Sequence, residues 1–417
     1  MKAYDSYKDS GIQWLPKIPS HWDSSKIKSH FRLRSTKVSD QDFPALSVSK
    51  NGVTPQLETA VKSDNGDNRK LVRAGDFVVN SRSDRKGSCG VSSLDGSVSL
   101  INIVLEPIDG YAQYYHHLFR SNDYIEEFYR NGRGIVSDLW TTRWNEMSSI
   151  MIPFPPIEEQ KKIVAFLDKH ITLIESCKCQ RERELQTLNE LKQAEIASVV
   201  TRGLNPNVPM KDSGQIQFGE IPAHWDSVKM KYCFTQRSEK GFPNEPVLCA
   251  TQSKGVIPQS LYENRVVVVN KGFEGLKLVK VGDFVISLRS FQGGIEYAYY
   301  QGIISAAYTI LTPKDERNSQ YFKYLFKSHP FIQLLQTCVT GIREGQNINY
   351  AVLGNNFIPI PPIEEQNAIV EYIEAKTNNI DTMIDALKAE IDRLTEYKQR
   401  LISDVVTGQI NVQNEQV

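Results

Sequence analysis

The string "FPPIEEQ" at residues 154–160 returns as "IPPIEEQ" at residues 360–366, seven residues repeated with one apolar change. Proline has no amide hydrogen and clashes inside a helix, yet its fixed φ suits the first helical position. Pro155 and Pro156, and again Pro361 and Pro362, are therefore expected to end a β-rich segment and start a helix. Glu158 and Glu159, with Glu364 and Glu365, then fall in the first turn, where negative charge meets the positive end of the helix dipole. Gln160 and Gln366 are placed to cap a free backbone donor, as in a capping box. These acids belong to helix initiation, and none is assigned to catalysis.

The duplication extends well beyond this string. "KDSGIQWLPKIPSHWDSSKIK" from Lys8 is matched by "KDSGQIQFGEIPAHWDSVKMK" from Lys211 at an offset of 203 residues, and "LVRAGDFVVNSRS" from Leu71 by "LVKVGDFVISLRS" from Leu278 at an offset of 207. "VVTRGLN" from Val199 and "VVTGQIN" from Val405 are 206 apart, as are the two PPIEEQ strings. Blocks that keep their order while the offset drifts by a few residues describe one unit, about half the chain, repeated with loop insertions.

Within each unit the pattern changes character at PPIEEQ. Before it, short runs such as "DFVVN", "SLINIVLEP", "RVVVVN" and "DFVIS" alternate with Gly, Asp and Asn turns, and "YAQYYHHLFRSNDYIEEFYR" reads as helical. After it, turn residues nearly vanish. Ile380, Leu387, Leu394 and Leu401 recur every seven residues, with Met383, Ile384, Ile391 and Tyr397 filling the adjoining stripe. The first copy places Ile174, Cys177, Leu185, Leu188 and Leu191 on the same kind of seam. Two helices of about forty residues, each about 60 Å long, must bury their stripes, and packing them antiparallel against each other is the economical solution. The expected fold class is α+β: two mixed α/β domains in a pseudo-twofold tandem repeat, separated by two long antiparallel helices that form a coiled coil. A ruler between two heads suits an extended ligand with two separated sites, and duplex DNA is the obvious one.

Composition narrows the alternatives. Lys plus Arg and Asp plus Glu are 49 each, so net charge gives no general argument for a polyanionic partner, although local basic faces remain open. No run approaches the roughly 20 apolar residues of a membrane span, and the first residues lack a signal-peptide core, so a cytoplasmic, membrane-free protein is expected. Six cysteines are sparse; only Cys177 and Cys179 are close, and without a second pair they make no zinc site. There is no G-x4-G-K-[ST] phosphate loop and no N-P-P-[FY] or D-P-P-Y motif.

The two KDSG…HWDS blocks, the "GDFVV" and "GDFVI" strands, and "IPFPPIEEQKKIVAFLD" with "IPIPPIEEQNAIVEYIE" together resemble the specificity subunit of type I restriction-modification systems over essentially the whole chain. The resemblance implies a target-recognition domain over 1–153, a central conserved helix over 154–203, a linker over 204–215, a second target-recognition domain over 216–359, a distal conserved helix over 360–411 and a tail over 412–417. Each recognition domain would read one half of a bipartite double-stranded DNA site, and the helices would set the spacer and dock two modification (methyltransferase) subunits. The charged helical run "KCQRERELQTLNELKQ" from Lys178 would serve that docking, where its ordinary reading is a solvated face with i,i+4 pairs. By the same resemblance the chain is non-catalytic and binds no cofactor. S-adenosylmethionine, ATP and Mg would be used by partner subunits, the restriction subunits being the translocase and nuclease. An alternative is the specificity chain of a two-chain enzyme whose partner both cleaves and methylates DNA; a purely structural coiled-coil scaffold is a third reading.

Base edges are best read by Arg on guanine and by Asn or Gln on adenine, while Lys, Ser and Thr often hold phosphates. The first domain offers Arg82, Ser83, Arg85 and Lys86 in "SRSDRKGS", and Arg130, Arg133, Thr142 and Arg143, with Trp140 and Trp144, in "YRNGRGIVSDLWTTRWNE". The second offers Arg289, Ser290 and Gln292 in "SLRSFQGG", and Arg343, Gln346, Asn347 and Asn349 in "TGIREGQNINY". An Arg in a Gly-rich turn is as well explained by solvation or a nearby acid. His21 with Asp23 and His224 with Asp226 invite a catalytic reading, but no nucleophile recurs with them, and Trp22 and Trp225 point to a packed domain entry.

Overall fold

The computed structural model describes residues 2–56, 66–134, 140–262, 272–315, 319–340 and 347–413. Two long helices, Ile157–Arg202 and Ile363–Val406, follow the PPIEEQ strings. The amides of Gln160 and Gln366 each donate to the carbonyl of the second proline, Pro156 or Pro362, at 2.9 Å. The proline thus contributes the first helical acceptor and stands just outside the helix, one position earlier than expected. The glutamines do reach back, but as donors: Gln160 Nε2 to the Pro155 carbonyl and Gln366 Nε2 to the Pro361 carbonyl, both 2.8 Å. Gln160 Oε1 accepts from the Tyr111 amide instead of closing a capping box.

The chain divides into two units, residues 1–182 with 389–417, and residues 183–388. In the first, the hairpin Tyr7–Ile12 and Leu15–Pro19 precedes Asp23–Lys26, which pairs antiparallel with Met151–Phe154 immediately before the helix. The entry strand of the domain therefore lies beside its exit strand. A four-stranded antiparallel sheet runs Cys89–Val91, Phe77–Asn80, Asn102–Pro107, Phe31–Leu33. "YAQYYHHLFRSNDYIEEFYR" forms two helices, Ala112–Leu118 and Asn122–Arg130, that cover it. Phe31, Phe77, Tyr115 and Phe119 meet at ring distances of 4.6 to 6.3 Å in the core between them.

The second unit repeats the plan. Asp226–Lys229 pairs with Phe357–Ile360, the sheet runs Phe234–Arg237, Thr309–Pro313, Phe284–Ile286, Glu296–Tyr297, and helices Ser319–Leu325 and His329–Thr337 follow. The expected strand "RVVVVN" lies outside the described residues. The GDFV motif has the same role in each unit. Gly75 and Gly282 take φ of 94° and 92°, a turn that Cβ would strain. Asp76 and Asp283, both buried, accept from the amides of Arg73 and Lys280 across that turn and from the guanidinium of Arg34 or Arg237. Each buried carboxylate is thereby paired and hydrogen-bonded, as burial of charge requires.

Both cores recruit helix ends that are remote in sequence. The first takes Ile163, Val164, Phe166 and Leu167 from the start of the central helix, and Leu401, Ile402, Val405 and Val406 from the end of the distal one. The second takes Ile196, Val199 and Val200 from the end of the central helix, and Ile369 and Ile373 from the start of the distal one. Tyr114 Oη donates to the carbonyls of Pro153 and Val406, both 3.2 Å, and Tyr321 Oη to those of Pro359 and Val200 at 3.3 and 2.8 Å. Each of these large buried apolar side chains contributes about 1.5–3 kcal/mol.

Within each unit the helix segments run antiparallel. Glu175 pairs with Lys398 at 2.6 Å and Arg181 with Glu390 at 3.1 Å in the first, and Lys192 pairs with Asp381 at 2.6 Å and Glu195 with Tyr372 in the second. Ile174, Ile196, Ile373, Ile380, Ile384 and Leu401 are buried. Met383, Tyr397 and Leu191 are exposed, contrary to the expected stripe. Met383 precedes the buried Ile384, and a 100° step per residue cannot place both on one face. Along the central helix the half-buried Leu188 and Lys192 and the buried Ile196 follow at steps of four, which leaves Leu191 outside. The segment 204–215 is not simply a linker: Met210–Asp212 pairs with Glu220–Pro222, repeating the first hairpin. In the expected tail, Val412 is buried in the first core.

Candidate nucleic-acid interface

The HWD and PPIEEQ motifs meet at the joint of each unit. Glu159, buried at 5% exposure, accepts from His21 Nε2 at 2.7 Å and from Tyr4 Oη at 2.5 Å. Glu365 accepts from His224 Nε2 at 2.7 Å and from Trp225 Nε1 at 3.0 Å. Burial, reinforced by the Glu159 carboxylate, pushes the Tyr4 hydroxyl well above its ordinary pKa. Trp22 and Trp225 are fully buried, while Asp23 is 86% exposed beside Lys8. The histidines thus partner a helix-start glutamate and not the aspartate two residues on, an arrangement that anchors the joint and leaves no reactive triad.

The candidate reading residues separate by exposure. In the first unit Arg82 opens a turn of 3-10 helix over Ser83–Arg85, and its guanidinium lies 2.9 Å from Asp84, with Arg85 3.7 Å from the same acid. Lys86 reaches Glu126 at 2.9 Å, Arg130 reaches Glu127 at 2.6 Å, and Arg133, 84% exposed, lies 3.5 Å from Glu146. Arg82 and Arg133 also both bridge to the Thr141 backbone, so the two loops predicted separately lie side by side. The exposed pairs among these, such as Arg82 with Asp84 and Lys86 with Glu126, are worth about 0–1 kcal/mol each, so a phosphate or base edge can replace the acid there at little cost, whereas Glu127 is buried and holds Arg130 more firmly.

Lys86 and Arg130 line a groove of about 830 Å³ with Trp14, Tyr129 and Trp140. Asp84, Asp123, Glu126 and Glu127 line it too, so its acids outnumber these two cations. Its charge balance does not suit a phosphate, and its aromatic walls suit a neutral or cationic edge. Arg143, exposed at the start of the Trp144–Met147 helix, has no acidic partner among the described residues.

Two expectations need correction. Thr142 is fully buried, and its hydroxyl donates to the Phe128 carbonyl at 2.8 Å. Ser290 is buried, and its Oγ accepts from the Ser287 amide at 2.8 Å. Both close turns, and burial keeps both hydroxyls from a ligand in this conformation. Asn349 is exposed, but its Oδ1 accepts from the Ala351 amide and caps the Tyr350–Leu353 helix. Arg289, Gln292 and Asn347 are exposed. Arg343, Gln346 and the side chain of Ser83 lie outside the described residues.

Sequence reasoning missed a second, larger groove of about 1170 Å³ in the second unit, lined by Lys254, Glu296, Tyr299, Lys323 and Lys327 among others. The signal was present: "YYHHLFRS" in the first unit stands against "YFKYLFKS" in the second, with cationic or titratable residues at matched places. Glu296 is buried beside Lys327, 2.5 Å away, and burial, opposed by that ammonium, pushes its carboxyl up to about 7. Among the described residues, no cluster of three or more His, Cys, Asp and Glu has a metal-binding arrangement, and no helix is long and apolar enough to cross a membrane.

Comparison with known proteins matches the repeat. The family model for the type I restriction modification DNA specificity domain matches twice, over residues 19–187 and 222–393. The type I restriction enzyme MjaVIII specificity subunit of Methanocaldococcus jannaschii is 28% identical over 283 residues, which is 64% of this chain and 63% of that protein. The type I restriction enzyme EcoBI specificity subunit of Escherichia coli is 24% identical over 297 residues, 64% of this chain and 60% of that protein. The matched part thus spans less than two thirds of either relative. A solved chain from work on complex assembly and conformational transition of the type I R-M system superposes with a TM-score of 0.67 at 17% identity, covering 94% of this chain and 99% of its own, and shows the same fold. With two domain matches that together span most of its length, this chain belongs to the type I restriction modification DNA specificity domain family.

Proposed function

We propose that the protein is the sequence-specific DNA-binding specificity subunit of a type I restriction-modification complex, each unit's head reading one half of a bipartite site. The observation that carries this reading is one scaffold built twice with different side chains on matched loops. Arg82 and Arg289 occupy the same place after the GDFV strand, whereas Arg85 is answered by Gln292. Arg favours guanine and Gln favours adenine, so a shared frame with exchanged donors is what two different half-sites require. The long helices set the spacer and dock two modification subunits, and restriction subunits complete the assembly. The chain is non-catalytic: methyl transfer from S-adenosylmethionine and Mg- and ATP-dependent translocation and cleavage belong to those partners.

The test is exchange of residues 1–153 for the corresponding domain of a relative, in the complete complex, with methylome sequencing of the host. One half of the methylated target is expected to change and the other to persist. A change in both halves, or in neither, overturns the bipartite reading.

A further inference from the structure

The two heads hold the same register, so their surfaces compare residue by residue. On the edge strand, Gly90 pairs with Val78 in the first and Glu296 with Val285 in the second. His116 and Arg120 of the first stand where Lys323 and Lys327 stand in the second. A Cβ built on Gly90 would lie 3.1 Å from Gly52 Cα and 3.4 Å from the His116 ring, so the hairpin turn before Gly52 abuts this helix. In the second head Lys327 Nζ reaches the Gln252 carbonyl at 3.2 Å, which brings the turn before Gly255 to the same place.

The chemistry differs between the heads but the free charge does not. In the first, burial and then the Arg120 charge hold His116 neutral, its pKa lowered to about 3, and Arg120 donates to that imidazole at 2.9 Å with no carboxylate partner among the described residues. In the second, Lys327 is held within the fold by Glu296 at 2.5 Å and by the carbonyls of Gly293 and Gln252 at 2.9 and 3.2 Å. Lys323 has no carboxylate within ion-pair distance among the described residues and instead lies over the rings of Tyr324 and Tyr299, at 5.0 and 5.5 Å. The Gly, His, Arg set and the Glu, Lys, Lys set each leave one cation outside any ion pair among the described residues, Glu374 acting on Lys323 only from beyond ion-pair distance. The adjoining turns each add an exposed lysine, Lys50 or Lys254, that makes no ion pair among the described residues. On the wall of the second head's groove the other lysines are occupied: Lys192 by Asp381 at 2.6 Å and Lys388 by Asp385 at 3.5 Å.

A feature that differs between two heads is suited to reading sequence; one kept despite different residues is suited to what every half-site shares. In DNA that common part is the phosphate backbone, which lysine holds as a point charge. In the second head Lys254 and Lys323 both line the groove, and cations in a concave site focus positive potential there. We propose that each head carries a two-cation phosphate grip, formed by a hairpin-turn lysine and a cation of the following helix: Lys50 with Arg120, and Lys254 with Lys323. The inference rests on the DNA-binding reading above. The exposed ring of Tyr299 adds a stacking face beside the second grip.

The test compares the complete complex with its K254A/K323A and K50A/R120A forms, measuring Kd on a duplex carrying the target and on one lacking it, from 50 to 200 mM salt. Loss of two phosphate contacts lowers the slope of log K against log salt by about 1.8, so each double variant becomes about tenfold less sensitive to that salt change, equally on both duplexes. The conservative K323R and R120K forms are expected to keep the slope, which separates lost charge from a misfolded head. An unchanged slope in the double variants overturns the grip, and so does weakening confined to the target duplex. If the unmodified complex binds neither duplex, the DNA-binding reading falls with it.

Discussion

Glu296, buried in the second head, and His116, half-buried in the first, titrate in opposite senses. The Glu296 carboxyl, pushed up to about 7 from 4.5 mainly by burial, binds a proton in the folded head that the unfolded chain has released. Its contribution is therefore complete below about pH 4.5 and lost as pH rises through about 7. His116 falls from 6.5 to about 3, so its contribution is present above about pH 6.5 and lost as pH falls. In urea melts at pH 5 to 8, Glu296→Gln should remove a loss of stability with rising pH on the order of 3 kcal/mol, and His116→Gln should flatten the acid side. Melts whose pH dependence is unaltered would rule out these assignments. At the joint, Glu159→Ala leaves the Tyr4 hydroxyl and His21 without their acceptor and is expected to cost about 1–3 kcal/mol, read as a lowered urea midpoint. Neither Thr142 nor Ser290 was legible as a buried residue from sequence, because a hydroxyl in a Gly-rich loop serves a turn and a ligand equally well. Only its partner, the Phe128 carbonyl or the Ser287 amide, decides.

At the scale of elements, the helices show how far a hydrophobic period carries. Ile380, on the seven-residue seam, and Ile384, in the adjoining stripe, are buried; Met383, assigned to that same stripe, is exposed. Apolar identity said which residues would gain from burial, while the rotation of each helix depends on the partner it meets. Ile384→Ala should therefore cost about 2–5 kcal/mol and Met383→Ala no more than about 0.5, compared by chemical denaturation of the full chain. Equal costs would mean that the seam lies elsewhere. The helix starts were clearer, because proline and first-turn acids act locally. Gln160 was misread in detail since its acceptor, the Pro155 carbonyl, and its donor, the Tyr111 amide, satisfy it without a capping box.

For the whole molecule, the ruler reading predicts that inserting one helical turn between residues 186 and 200, with a matching insertion in the distal helix, changes the spacer of the methylated site and leaves both half-sites intact. A spacer that stays constant would remove the helices from that role. The sequence by itself determined the duplication, the places where each head gives way to a helix and the pairing of scaffold motifs, because repetition and helix initiation are written in neighbouring residues. Only the tertiary structure decided that the first core is completed by Leu401, Val405 and Val406, and the second by Val199 and Val200. It alone also showed which of the candidate cations stand in ion pairs among the described residues. Both outcomes depend on contacts between residues far apart in the chain, where burial and the nearest acid, and not residue type, set what a side chain can do.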